Sequence, residues 1–231
     1  MPKPADDFMK VLEQLQAKLT RELPTLASRL STLSDQNLAI IARELDFFAE
    51  LNRLGYSDAL QKLMDDYDDV AAKVFSEASK KGLQVSVGSV ESLELIKELD
   101  ARTLLGRARG YSDQLRTEML KGIISGESGQ SIAQRLGETV AKELSSSNVN
   151  MIVNDSFARF SNSATFKAFE EKTDQKFIYV GVRDNLNRQE CANVLDDAQN
   201  DTGYTVDEIA SLPVGLTDRG GFNCRHDWVV A

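Results

Sequence analysis

Lys176-Phe-Ile-Tyr-Val-Gly-Val182 is the stretch where the pattern of this 231-residue chain changes. It is dense in β-branched and aromatic residues and too short for a stable helix, so it reads as a strand. Ahead of it the apolar periodicity is helical, and no proline occurs between residues 25 and 212; the four prolines are Pro2, Pro4, Pro24 and Pro213. Behind it lie both cysteines, the only histidine and the only tryptophan, all between Cys191 and Trp228. The chain is therefore expected to be mostly α, an extended helical N-terminal body followed by a small α+β C-terminal module. Its divisions are read as an N-terminal helical region over 1–85, a helical region over 86–172 leading into the module, and the module itself over 173–231.

Working back from the strand, helices are expected over 148–172, 128–144, 112–125 and 90–109. Breaks fall at Gly110 and at Gly126–Gly129, with Ser112 and Ser128 as candidate N-caps. Gly82 to Ser89 interrupts the pattern and reads as a linker or short strand. Before it, Leu60, Leu63, Met64, Tyr67, Ala71, Val74, Phe75 and Ala78 form one apolar stripe, with Asp65, Asp66, Asp68 and Asp69 on the opposite face. That aspartate run has no glycine turn of the calcium-loop kind and reads as a solvated face. Two further stripes, Phe8 to Leu19 and Leu38 to Leu54, point to more helices. The second is apolar on two sides, which suits an oligomeric or docking surface.

Working forward, a polar stretch, Arg183 to Glu190, leads into Cys191 and a short helix. Thr205-Val-Asp-Glu208 is a capping box ahead of Ile209 and Leu212, Pro213 stops that helix, Gly220-Gly221 turns the chain, and His226 to Val230 reads as a closing strand.

Composition bounds the function. The chain is 42% apolar and 27% charged, with a formal net charge of −9, which disfavours phosphate-rich partners except through a local patch. Arg102, Arg107, Arg109 and Arg116 make one basic segment, diluted by Asp100, Asp113 and Glu118, and read as a solvated face. No apolar run approaches the roughly 20 residues of a membrane span, and Met1 to Lys10 carries no signal-peptide core, so no membrane partner is expected.

Cys191, Cys224 and His226 are the only soft metal ligands. A zinc site built on them needs a fourth ligand, for which Asp184, Asp218 and Asp227 are the candidates, or stays open to water. Buried thiols beside a hydrogen-bonded histidine, and a Cys191–Cys224 disulfide formed after lysis, stand as alternatives. A Cys–His catalytic pair has the residue types but no local signature, so no catalytic residue is assigned. Trp228 reads as a core anchor of the module.

In order, these segments are Ile152-Val-Asn-Asp-Ser-Phe-Ala-Arg-Phe-Ser-Asn162, the strand, Asp184-x3-Arg188-x2-Cys191, Tyr204-Thr-Val-Asp-Glu-Ile-Ala-Ser-Leu-Pro213, and Gly220-Gly-Phe-Asn-Cys-Arg-His-Asp-Trp228. This order resembles the C-terminal module of the phage Mu F-like minor head proteins, the phage head morphogenesis family, over about residues 105–231 and most closely after 176. Many members close on Cys-Arg-Cys where this chain has Cys-Arg-His. The resemblance implies a non-enzymatic virion component inside the capsid, made in the host cytoplasm and bound at the portal vertex. Its implied partners are the portal protein and the major capsid or scaffolding protein, with weak DNA contact during ejection. It also implies that Asp184, Arg188, Cys191, Asn223, Cys224, Arg225 and His226 form the module's structural centre, with zinc as a cofactor if the cysteines and histidine ligate. An effector enzyme carrying the same module and an internal DNA-contacting ejection factor are the rival readings.

Overall fold

The structure, a computed structural model, describes residues 10, 13–14, 16–18, 20–22, 25, 46–143, 146–169, 172–221 and 224–231. The stripe at 8–19, the first half of the helix expected at 38–54, and Asn223 lie wholly or largely outside the described residues. From residue 46 on, the helices ahead of the module are α1 (Phe47–Arg53), α2 (Tyr56–Lys80), α3 (Val87–Ile124), α4 (Gly129–Glu143) and α5 (Ser146–Phe169). The rest is β1 (Phe177–Gly181), α6 (Gln189–Asp196), a 3₁₀ turn (Ala198–Asp201), α7 (Val206–Ala210) and β2 (His226–Val230). The chain is thus mostly α with a small α+β module at its C-terminal end.

Local chemistry sets most boundaries. Asp46 caps α1, accepting from the N–H groups of Phe48 and Ala49 at 3.0 Å each. Ser128 accepts from the N–H of Ser131 at 3.2 Å at the start of α4. The Thr205–Glu208 capping box forms as the sequence indicates, Glu208 accepting from the N–H of Thr205 at 2.7 Å. The break expected at Gly110 does not occur, and α3 runs unbroken for 38 residues. Ser112 is not a cap, since its hydroxyl donates to Ala108 O at 2.9 Å within the helix. Ala108, Tyr111, Leu115 and Met119 are all buried along α3. Their burial, at roughly 1.5–3 kcal/mol for each large side chain, outweighs the ~1 kcal/mol a helical glycine costs.

The chain packs as two compact units, one of Met1–Leu63 with Ala101–Asn150, the other of Met64–Asp100 with Met151–Ala231. In the first, Leu51, Leu63, Leu115, Met119, Leu136 and Val140 are buried, and Tyr56 donates to Leu104 O at 2.9 Å. At Gly122 the two helices α3 and α4 approach so closely that a β-carbon would lie 2.6 Å from Ile132 Cγ1.

In the second unit Tyr67 is fully buried, stacks on Phe160 at 4.4 Å between ring centroids, and donates to Asp100 Oδ2 at 3.1 Å. Arg159 donates to the other Asp100 oxygen at 2.5 Å. Burial pushes the Asp100 carboxyl up, against the opposing pull of Arg159 and Tyr67. Asp65, Asp68 and Asp69 are exposed, and Asp68 pairs with Lys97 at 2.5 Å, so this run behaves as the solvated face its pattern indicates.

The module's sheet is a single antiparallel pair with Phe177 opposite Val230, Tyr179 opposite Trp228 and Gly181 opposite His226. Phe177, Tyr179, His226 and Trp228 all point inward, as the two-residue period of a strand requires. The other edge of β1 is covered too. Phe177 and Tyr204 exchange backbone bonds at 2.8 Å, and the Asn200 amide accepts from Tyr179 N at 2.7 Å while donating to Tyr179 O at 2.9 Å. A side-chain amide thus stands in for a third strand. The module's core also takes in Ala78 from α2 and Ala168 and Phe169 from α5. Among the described residues no helix is long and apolar enough to cross a membrane.

Candidate functional site

Cys191 lies in the first turn of α6, Cys224 in the turn before β2, and His226 at the start of β2. The fold brings the three together in a buried cluster whose ligand atoms all lie within 4.8 Å of one another. Cys191 Sγ is 3.9 Å from Cys224 Sγ, and Cys224 Sγ is 3.4 Å from His226 Nδ1. The thiols are free, not joined as a disulfide. His226 Nε2 sits 2.9 Å from Val182 O. A carbonyl only accepts, so Nε2 carries the hydrogen and Nδ1 turns its lone pair toward Cys224.

A fourth polar group completes the cluster, and sequence reasoning did not include it. The Tyr179 hydroxyl donates to Cys191 Sγ at 3.4 Å and lies 3.4 Å from Cys224 Sγ. Its ring stacks on His226, with centroids 5.4 Å apart. None of Asp184, Asp218 and Asp227 joins the group of ligand atoms, so the carboxylate expected to complete a metal site is not there. Asp184 is taken by Arg225, which donates to its two oxygens at 2.6 and 2.7 Å, and Asp227 by Arg219 at 3.1 Å.

Two glycines shape the walls. A β-carbon at Gly220 would lie 2.1 Å from Cys191 Sγ and 3.3 Å from Cys224 Sγ, and one at Gly181 would lie 2.2 Å from His226 Cδ2. Only glycine lets the backbone come this close, at one position to the sulfurs and at the other to the imidazole.

Burial pushes the Cys224 thiol up, but its hydrogen bonding with Tyr179, with the His226 side chain and with the backbone of His226 and Gly220 outweighs this and brings the thiol down to about 7. Cys191 moves the other way: burial pushes it up, against the Tyr179 bond and the nearby Arg188 charge. Burial, then the two sulfurs, also pushes up the Tyr179 phenol.

The remaining motif residues surround this centre. Arg188 donates to Gly220 O, tying the segment that leads into α6 to the glycine turn. Arg225 bridges Asp184 and, at 3.0 Å, Asn187 Oδ1. Trp228 is buried, packs against Tyr179 and Tyr204, and donates from Nε1 to Gly215 O at 3.0 Å. Arg219, which no sequence pattern singled out, is also buried. It holds a positive φ of 52° and donates to His226 O, Asp227 and Asp155 at 3.1–3.2 Å.

Chemically the cluster offers two sulfurs, one imidazole lone pair and one phenol oxygen around a common centre, enclosed by backbone. Comparison with protein-family models, curated proteins and solved structures finds no match for this chain.

Proposed function

We propose that this chain is a minor head protein of a tailed bacteriophage, a non-enzymatic component that binds the portal vertex or capsid interior and assists head assembly. One observation carries the reading. Of the segments by which the sequence resembles the Mu F-like minor head proteins, the Asp184–Cys191 and Gly220–His226 stretches, about 30 residues apart, meet around one hub. Asp184 meets Arg225, Arg188 meets Gly220, and Cys191 meets Cys224 and His226.

The hub suits a structural role. Cys191, His226 and Tyr179 are each at most 2% exposed and Cys224 is 9% exposed, so a substrate has little access to the sulfurs. The arginines around it are engaged with carboxylates and a backbone carbonyl of the same module, which ties its loops together. Weak DNA contact during ejection would fall on the exposed basic face of α3 that includes Arg107.

A mass-spectrometric inventory of purified heads from a phage encoding this chain tests the proposal. The chain is expected in heads, at low copy relative to the major capsid protein. Its absence from them overturns the reading, and growth arrest on expression in a bacterial host favours the effector reading instead.

A further inference from the structure

We infer that Cys191 Sγ, Cys224 Sγ, His226 Nδ1 and the Tyr179 hydroxyl form a closed, tetrahedral structural zinc site. This inference does not rest on the minor head reading and stands or falls separately.

The spacing carries it. Zinc takes sulfur at about 2.3 Å and nitrogen or oxygen at about 2.0–2.1 Å, in a tetrahedron. Those lengths put two sulfurs about 3.8 Å apart, and a sulfur about 3.5 Å from a nitrogen or oxygen ligand. The observed separations are 3.9 Å between the sulfurs, 3.4 Å from Cys224 Sγ to His226 Nδ1, and 3.4 Å from each sulfur to the Tyr179 oxygen. Four edges of the tetrahedron are in place, each within about 0.2 Å of what zinc requires, and the edge from Cys191 Sγ to the His226 ring nitrogen, within 4.8 Å, closes to about 3.5 Å when the metal binds.

The surroundings fit as well. The Nε2–H of His226 is held by Val182 O, the outer bond that orients a metal-bound imidazole and turns its other nitrogen inward. Gly220 and Gly181 keep β-carbons out of the space beside the sulfurs and the imidazole. Two thiolates neutralise one Zn²⁺, so the loaded site buries no net charge. Binding releases the two thiol protons to solvent.

Tyr179 decides the class of site. Three protein ligands with an open corner would describe a catalytic zinc, whereas a side-chain oxygen in that corner closes the shell. A closed zinc here would staple α6 to the turn before β2 and to β1, three elements that otherwise meet through a two-stranded sheet and a few side chains.

The test is a cobalt(II) titration of the reduced, full-length chain after chelator treatment and desalting. Saturation is expected at one cobalt per chain, with a thiolate-to-cobalt charge-transfer band and the strong visible bands of a tetrahedral ion, both abolished by zinc. Cys191→Ser and Cys224→Ser should each remove roughly half of the charge-transfer intensity, one of two thiolates being lost. Tyr179→Phe should keep that band and shift the visible ones, because water then takes the fourth corner. Visible bands unchanged in Tyr179→Phe overturn the tyrosine assignment. No band in the wild-type protein, or one insensitive to both cysteine variants, overturns the site. Because a serine variant can unfold, the wild-type thiols are also alkylated with and without zinc. Protection of both supports the site, and equal rates overturn it.

Discussion

Replacing Gly220 by alanine adds one methyl group at the point where the backbone lies closest to the sulfurs. Its backbone is not among the positive-φ glycines, so alanine meets no conformational penalty and the effect is steric. The added carbon would lie 2.1 Å from Cys191 Sγ and 3.3 Å from Cys224 Sγ, against ordinary contact distances of about 3.5–4.0 Å. Cys191 sits in α6 with only 1% exposure and cannot swing away into solvent, so the glycine turn or the helix must move by about 1.5 Å. Overpacking of this kind costs about 1–3 kcal/mol. With a urea slope of about 2 kcal/mol/M, the unfolding midpoint of the module falls by about 0.5–1.5 M. Urea titrations in chelator, followed by Trp228 fluorescence, isolate this term from metal binding. Gly215→Ala is the control, since its new carbon has nothing nearer than Asp218 N at 3.9 Å, and its midpoint should barely move. A Gly220→Ala midpoint equal to that of the control refutes the packing described for the cluster.

Asn200→Ala strips the outer edge of β1, leaving the N–H and C=O of Tyr179 without their partners. A loss of about 2–4 kcal/mol is expected by denaturant titration, and amide hydrogen exchange at Tyr179 should rise first. Arg219→Ala leaves Asp155 and Asp227 facing an empty position. Discounted for the half-exposed Asp227, the cost is about 2–3 kcal/mol, and Arg219→Lys should recover only part of it, because one ammonium cannot span both carboxylates. Asp184 is held down to about 2, chiefly by its hydrogen bonds from Arg225. A carboxyl lowered by folding binds its proton more weakly in the folded state, so its stabilising contribution is present above about pH 4 and is lost as the pH falls toward 2. Asp184→Asn should therefore flatten acid unfolding measured by circular dichroism across that range, and salt should shrink the difference.

Much of the architecture was legible because its causes are local. The strand at 177–181 announces itself through β-branched and aromatic density, and the helix at 206–210 through the spacing of Thr205 and Glu208. The stripe from Leu60 to Ala78 reads directly as α2. Gly110 misled because glycine's helix penalty is local, whereas the burial of Ala108, Tyr111 and Leu115 that overrides it is tertiary. At the site, Cys191, Cys224 and His226 stood out by rarity alone. Tyr179 was hidden inside the strand it also builds, where an aromatic residue needs no further explanation. Asn200 and Arg219 act on residues 21 and 64 positions away, and no spacing rule reaches that far. Gly220 carried a faint signal as half of a glycine pair, but its role depends on which atoms stand opposite.

X-ray absorption at the zinc edge, on the full chain loaded with one equivalent of zinc and desalted, tests the hub most directly. A first shell of two sulfurs at about 2.3 Å and two lighter atoms at about 2.0 Å is the predicted result. A shell of nitrogen and oxygen alone, or no zinc retained after desalting, would contradict it.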